Sequence, residues 1–215
     1  MRYLIVTGGN LSSEFAIECI KNGGFEVILA VDAGMEQLHR IGIAPDMIVG
    51  DFDSVKEEVL DYYRGQEQIE ICALDTAKDD TDTEHAIHLA IRRGATDITV
   101  IGATGTRIDH VLGNIALLGI GLEEGVHIEL LDPNNRIQMI NQAITLKREE
   151  QYGRYISLIP YAGQAEGVTL KGFKYPLEDY TMGGFNALGV SNEMVEDVAS
   201  ISLTNGQLVV IESRD

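Results

Sequence analysis

Two aspartates one residue apart, Asp51 and Asp53 in VGDFDSV (49–55), are the first residues whose spacing suggests chemistry. Carboxylates that close repel one another unless a cation or a shared proton neutralises them. Other stretches add residues of the same kind. AKDDTD (77–82) supplies Lys78, Asp79, Thr81 and Asp82, and GATGTRIDH (102–110) supplies Thr104, Gly105, Arg107 and Asp109. Asp32 stands alone in AVDAG (30–34). Three or four converging carboxylates make an oxygen site for a hard divalent cation. Mg²⁺ keeps several waters and takes one or two protein carboxylates plus phosphate oxygens. Arg107 and Lys78 would then place positive charge where phosphate oxygens lie. Acids need not repel a ligand that arrives as a metal–phosphate complex.

Convergence requires a scaffold, and the pattern of the chain predicts one. Short β-rich runs at 2–7, 26–31, 46–51, 69–74, 97–102 and 126–132 alternate with helical patterns at 12–22, 35–42, 55–63, 81–94 and 109–121. Such alternation implies right-handed crossovers and a mainly parallel sheet with flanking helices. The helix at 109–121 is apolar enough to predict burial. Beyond about Pro133 only short β-like runs separated by turn residues remain. They predict a small C-terminal β-sandwich or barrel-like domain, with Asn205-Gly206 as a hairpin turn. The expected division is an α/β domain over 1–135 and a β-rich domain over 140–215.

In open α/β sheets ligands bind beyond the carboxyl ends of the strands. Asp32, Asp51 with Asp53, the 77–82 stretch and the 102–110 stretch all follow predicted strands. Four loops thus deliver acids, glycines and an arginine to one sheet edge. Ser54 with Glu57, and Thr81 with Glu84, fit capping boxes that would set Asp53 and Asp82 at helix starts. Residues i and i+2 of an extended segment point the same way, so Asp51 and Asp53 are expected to face one volume.

The charge balance narrows the partners. Against 34 acidic residues there are 16 basic ones, a formal net charge of −18. That argues against a nucleic-acid backbone as ligand and permits cationic ligands or metal-borne anions. Cys19 and Cys72 match no metal or redox spacing and read as buried thiols of a reducing compartment. The apolar run near the N-terminus is too short for a signal-peptide core or a membrane span, so a cytoplasmic location is expected, with no membrane partner. Gly8-Gly9-Asn10 could approach a phosphate or only turn the chain. His39, His85, His88 and His127 lack metal spacing, and His110 reads as orienting.

GDFDS (50–54), KDDTD (78–82), TRIDH (106–110) and GVSNE (189–193), in that order, resemble the thiamine pyrophosphokinase family; GVTLKGFKYPLEDYTM (167–182) is similar to its bacterial branch. The resemblance spans nearly the whole chain. It implies transfer of a diphosphoryl group from ATP to the hydroxyl of thiamine, giving thiamine diphosphate and AMP. It implies a homodimer with thiamine bound between subunits. By the matching motifs, Asp51, Asp53 and Asp82 hold Mg²⁺ and, with Arg107, are the catalytic set. Asp32, Lys78, Asp79, Thr81, Thr104, Gly105, Arg107 and Asp109 bind nucleotide. Asp109, Ser191 and Asn192 meet thiamine. The chain departs from the family pattern at Gly105-Thr106, where two glycines are usual, and at Val31-Asp32-Ala33-Gly34, where A-D-G-G is usual. It has no tryptophan, so stacking on thiamine must use Tyr, Phe or an apolar side chain.

The residues alone support Mg²⁺-dependent nucleotide chemistry and leave alternatives open. Either Asp53 or Asp82 could accept or orient the hydroxyl proton. DFDS after a strand also resembles the haloacid-dehalogenase nucleophile motif, with Asp51 as nucleophile and Asp53 as acid/base. A non-catalytic nucleotide or thiamine sensor is a third reading.

Overall fold

The computed structural model describes residues 1–53, 55–75, 80–185 and 187–215. The chain divides into two compact units, Met1–Pro133 and Asn134–Asp215.

In the first unit strands and helices alternate without exception: β1 (Arg2–Val6), α1 (Ser13–Gly23), β2 (Val27–Val31), α2 (Gly34–Ile41), β3 (Met47–Gly50), α3 (Glu57–Arg64), β4 (Glu70–Ala73), α4 (Asp82–Arg92), β5 (Asp97–Ile101), α5 (Ile108–Glu124) and β6 (His127–Leu131). The strand order is β4-β3-β2-β1-β5-β6, and every pair is parallel. The chain steps outward from β1 to β4, returns past β1 to β5, and continues to β6. The order therefore reverses at β1, between its neighbours β2 and β5. Register sets Val6 level with Ala30 and Ile101, and Val31 level with Val49. The segments after β1, β2, β3 and β5 thus leave the sheet at one height.

Both faces of the central strands are covered, which is why they read as near-continuous apolar runs. Leu4, Ile5, Val6, Ile98, Val100 and Ile101 are completely buried. Leu38 of α2, Ile48 of β3 and Tyr63 of α3 join Leu4 and Val6 in one core. Each such aliphatic side chain contributes about 1.5–3 kcal/mol relative to exposure. The starts of α1 and α4 follow capping residues. The Ser12 hydroxyl accepts from the Phe15 amide at 3.2 Å, and the Thr81 hydroxyl accepts from the Glu84 amide at 3.2 Å.

Two expectations for this unit are corrected. The helix predicted from Val55 begins at Glu57, with Lys56 at the N-cap position and no side-chain cap. The Lys56 amide donates instead to the Glu36 carboxylate of α2 at 3.0 Å, so tertiary contact replaces the local box. Ser54 lies outside the described residues. The second correction concerns α5, which buries only Leu118 and Gly121 fully. Gly121, in its last turns, packs on Ile128 of β6, while Ile108 and Leu112 remain 64% and 61% exposed. Apolar composition alone does not distinguish a helix buried in its own core from one with an uncovered apolar face.

The second unit contains β7 (Asn135–Ile140), β8 (Ile144–Lys147), β9 (Tyr155–Lys171), β10 (Leu177–Met182), β11 (Asn192–Glu193), β12 (Val198–Ser202) and β13 (Asn205–Ser213). All its pairings are antiparallel. The long β9 unites two runs that read separately in the sequence. Its first part pairs with β13 and β11, and its last part with β12 and β10. A strand that changes partners along its length joins the two layers of a sandwich. Ile156, Leu158, Val168, Leu170, Ile201 and Val210 fill the space between. Asn205-Gly206 does not close a hairpin. β12 pairs with β8 and β9, whereas β13 pairs with β7 and β9. The chain passes from one sheet to the other between Ser202 and Asn205, and a register shift follows between Asn205 and Gln207.

Candidate active site

Asp32 follows β2 directly and holds a left-handed backbone, φ 45. Its amide donates to the Val49 carbonyl of β3 at 3.0 Å, and its carbonyl accepts from the Met35 amide at 3.0 Å. The side chain is thereby aimed across the end of β3. There Gly50 leaves room for it: a β-carbon at Gly50 would lie 1.9 Å from Asp32 Oδ1. Asp51 follows Gly50, and Asp82 is the first residue of α4, behind the Thr81 cap. Carboxylate oxygens of Asp32, Asp51 and Asp82 all lie within 4.8 Å of one another, and each side chain is half-buried. Three strand or helix ends therefore place three acids in one group. The positive end of α4 favours the charge on Asp82.

Asp53 is not a member of that group. Phe52 has φ 63, so the segment from Asp51 to Asp53 turns instead of running extended. The Asp53 amide donates to Asp51 Oδ1 at 3.2 Å, while its own side chain is exposed. The two-residue spacing expected to align the carboxylates instead makes one residue's backbone orient the other's side chain. The fourth loop falls partly outside the described residues, which include neither Lys78 nor Asp79.

A cavity of about 1040 Å³ opens at the switch point, lined by Thr7 to Asn10, Asp32, Thr81 to Glu84, Gly102 to Arg107, and one side of α5. Its walls are tied together by the backbone. The Gly9 amide donates to the Gly102 carbonyl at 2.9 Å, and the Asn10 amide to the Thr104 carbonyl at 3.0 Å. A β-carbon at Gly9 would lie 2.1 Å from the Gly102 oxygen, so only glycine permits this approach. The Gly8-Gly9-Asn10 turn thus joins the loops after β1 and β5. Thr104, Gly105, Arg107 and Asp109 all border the cavity, as do Asp32, Thr81 and Asp82.

Arg107 and Asp109 form a two-point pair, Nε to Oδ1 at 3.2 Å and Nη2 to Oδ2 at 2.5 Å. The hydrogen bond from Arg107 holds the Asp109 carboxyl below its ordinary range, and the same bond raises the guanidinium. Sequence reasoning missed Asn114. Its side-chain amide donates to the Ala103 carbonyl at 2.7 Å, fixing α5 against the loop after β5. A lone amide inside an otherwise apolar helix was the available signal. Thr83 and Glu84 also line the cavity beyond the residues expected.

Ser191 and Asn192 belong to the second unit. Ser191 has φ 59 and its amide donates to the Ser157 hydroxyl at 3.0 Å. Asn192 is 6% exposed. Its Oδ1 accepts from the Tyr175 and Glu193 amides at 3.0 and 2.9 Å, and its Nδ2 donates to the Tyr175 carbonyl at 2.8 Å. That clamp fixes the backbone of Tyr175, whose side chain is 60% exposed.

These features define a class: two-unit proteins with a parallel α/β sheet, an acid trio and an arginine-bearing cavity at its switch point, and a β-sandwich. The family models described as "Thiamin pyrophosphokinase, catalytic domain" and "Thiamin pyrophosphokinase, vitamin B1 binding domain" match residues 23–130 and 141–208. Thiamine pyrophosphokinase of Bacillus subtilis (strain 168) is 35% identical over 192 residues, 87% of each chain. The crystal structure of the Bacillus subtilis protein aligns at TM-score 0.89 with 32% identity, covering 100% of both chains. That of the Geobacillus thermodenitrificans protein aligns at TM-score 0.85 with 30% identity, covering 100% of this chain and 98% of the other. The chain belongs to the thiamine pyrophosphokinase family.

Proposed function

We propose that the protein transfers the diphosphoryl group of ATP to the hydroxyl of thiamine, yielding thiamine diphosphate and AMP. The observation that supports this most directly is the carboxylate trio at the carboxyl edge of a sheet that belongs to this family. Three carboxylates with oxygens within 4.8 Å of one another suit a hard divalent cation, and the room beside Gly50 lets Asp32 join them. In this reading Asp32, Asp51 and Asp82 hold Mg²⁺, which when bound neutralises charge on the phosphate oxygens. Neither the fold nor the relatives favour the phosphatase or sensor alternatives.

The thiamine hydroxyl attacks the β-phosphorus; its oxygen–phosphorus bond forms as the bridge to the α-phosphate breaks, and AMP leaves. Such transfers depend on positioning and charge neutralisation more than on protein covalent chemistry. Arg107 stabilises phosphate oxygens, and the loop of Thr104 and Gly105 borders them. Asp53, outside the trio, is the carboxylate assigned to orient the hydroxyl. Lys78, Asp79 and Thr81 complete the phosphate loop, and Ser191 and Asn192 the thiamine side. The first unit serves as the ATP- and Mg²⁺-binding catalytic domain, the second as the thiamine-binding and dimerisation domain. In this reading the protein is a homodimer. We place the enzyme in the cytoplasm; no helix among the described residues is long and apolar enough to cross a membrane.

Incubation with ATP, Mg²⁺ and thiamine, followed by chromatography, is expected to yield AMP and thiamine diphosphate in equal amounts. Release of inorganic phosphate with ADP, or no turnover with bound substrates, would refute the assignment.

A further inference from the structure

Among the described residues lining the cavity, Arg107 is the single arginine or lysine, while Asp32, Asp82, Glu84 and Asp109 are acids. That one guanidinium is already engaged. Asp109 holds it at two points, in the planar fork geometry that a phosphate would also use. The two side chains are 68% and 65% exposed. The pair can therefore open without unfolding anything, and opening costs little because exposed ion pairs are weak. A polyanion entering the cavity must nevertheless compete with Asp109 for Arg107.

We propose that Asp109 is an internal competitor for Arg107, and that its displacement couples nucleotide binding to binding of the cationic co-substrate. Resting on the ATP and thiamine reading above, the inference has two parts. When phosphate oxygens take the guanidinium, Asp109 loses its counter-charge while still lining the cavity. A carboxylate without its ion-pair partner there, held by the start of α5 and the His110 amide, favours a ligand carrying positive charge, which the thiazolium ring of thiamine supplies. Conversely, a cation that engages Asp109 frees Arg107 for phosphate. Coupling of this kind is reciprocal by necessity, each ligand tightening the other by the same factor. Because the closed pair holds back only part of the population, the factor is small, about threefold. The hydrogen bond from Arg107 holds the Asp109 carboxyl below its ordinary range, so Asp109 is ionised at neutral pH. Competition therefore operates across the neutral range instead of switching with pH.

The test uses α,β-methylene-ATP, in which a methylene replaces the oxygen bridging the α- and β-phosphates so that transfer cannot occur, with Mg²⁺ and titration calorimetry on the intact protein. Wild type, Asp109→Asn, Arg107→Gln and the double variant are compared, each with and without thiamine. Asp109→Asn is expected to bind the analogue about threefold more tightly than wild type without thiamine. Thiamine should tighten analogue binding in wild type and lose that effect in Asp109→Asn. In the Arg107→Gln background the Asp109→Asn gain should vanish. A gain that persists there would mean simple repulsion by Asp109 and overturn the proposal, as would no gain in the single variant. Circular dichroism of each variant confirms folding. Product formation by wild type is measured in parallel. If wild type makes thiamine diphosphate while the predicted gain is missing, only the competitor role fails. If wild type neither binds the analogue nor makes thiamine diphosphate, both fail.

Discussion

A β-carbon on Gly50 would lie 1.9 Å from Oδ1 of Asp32, so the last residue of β3 must be glycine for the acid after β2 to occupy its place. Gly50→Ala should displace the Asp32 carboxylate while leaving the sheet ladder intact. Turnover is expected to fall by at least about tenfold, roughly 1.4 kcal/mol in the barrier. The concentration of Mg²⁺ needed for half-maximal rate should rise with it. An alanine variant with normal rate and normal Mg²⁺ dependence would show that Asp32 plays no part in holding the ion.

Asp32 and Asp53 stand on opposite sides of a distinction that kinetics can read. Asp32 shares the trio with Asp51 and Asp82; Asp53 does not. Asp32→Asn, Asp51→Asn and Asp82→Asn should each lower turnover at least about tenfold and raise the Mg²⁺ requirement. Asp53→Asn should lower turnover with little change in Mg²⁺ half-saturation. A shift in half-saturation as large as that of Asp82→Asn would return Asp53 to the ion's ligand set.

Asn192 makes three hydrogen bonds while almost wholly buried, two of them to Tyr175. Asn192→Leu strips these from backbone groups that have little access to water. A loss of about 2–3 kcal/mol in unfolding free energy is expected. Urea denaturation measures it. The Michaelis constant for thiamine should rise more than that for ATP if the clamped Tyr175 region meets thiamine. Equal stability of the variant would show that water replaces the clamp.

Burial pushes the Cys19 thiol up to about 11. The unfolded chain releases this proton near its ordinary value, whereas the folded chain keeps it until about pH 11. Between those values the folded state binds more protons, so stability falls as pH rises. Burial raises Tyr63 likewise, to about 12, extending the decline. Cys19→Ala should flatten the first part of the slope in denaturation curves taken between about pH 9 and 11. In the native protein at neutral pH, alkylation of Cys19 should be slow because little thiolate is present. Rapid neutral alkylation under native conditions would contradict a raised Cys19 thiol.

Much of the scaffold is legible in the order of the amino acids. Strand and helix positions in the first unit follow from alternating apolar runs and from local signals such as Thr81 with Glu84. Failures arise where distant contact outweighs local pattern. Lys56 turns to Glu36 in place of a side-chain cap. Asn205-Gly206 carries hairpin chemistry, yet β12 and β13 find other partners. α5 is apolar enough for a core, but half of it borders a cavity and an open face.

That acids and one arginine gather at the carboxyl edge of a parallel sheet is written in the linear chain. Periodicity sets the element order, and element order sets the edge to which each loop belongs. Which acids touch is a property of the folded molecule alone. Asp32 enters the trio because Gly50 vacates the space beside it, and Asp53 leaves it because Phe52 turns the chain. Both outcomes depend on backbone angles and on atoms from separate loops meeting within a few ångströms, and the spacing of residues along one strand carries no record of that meeting.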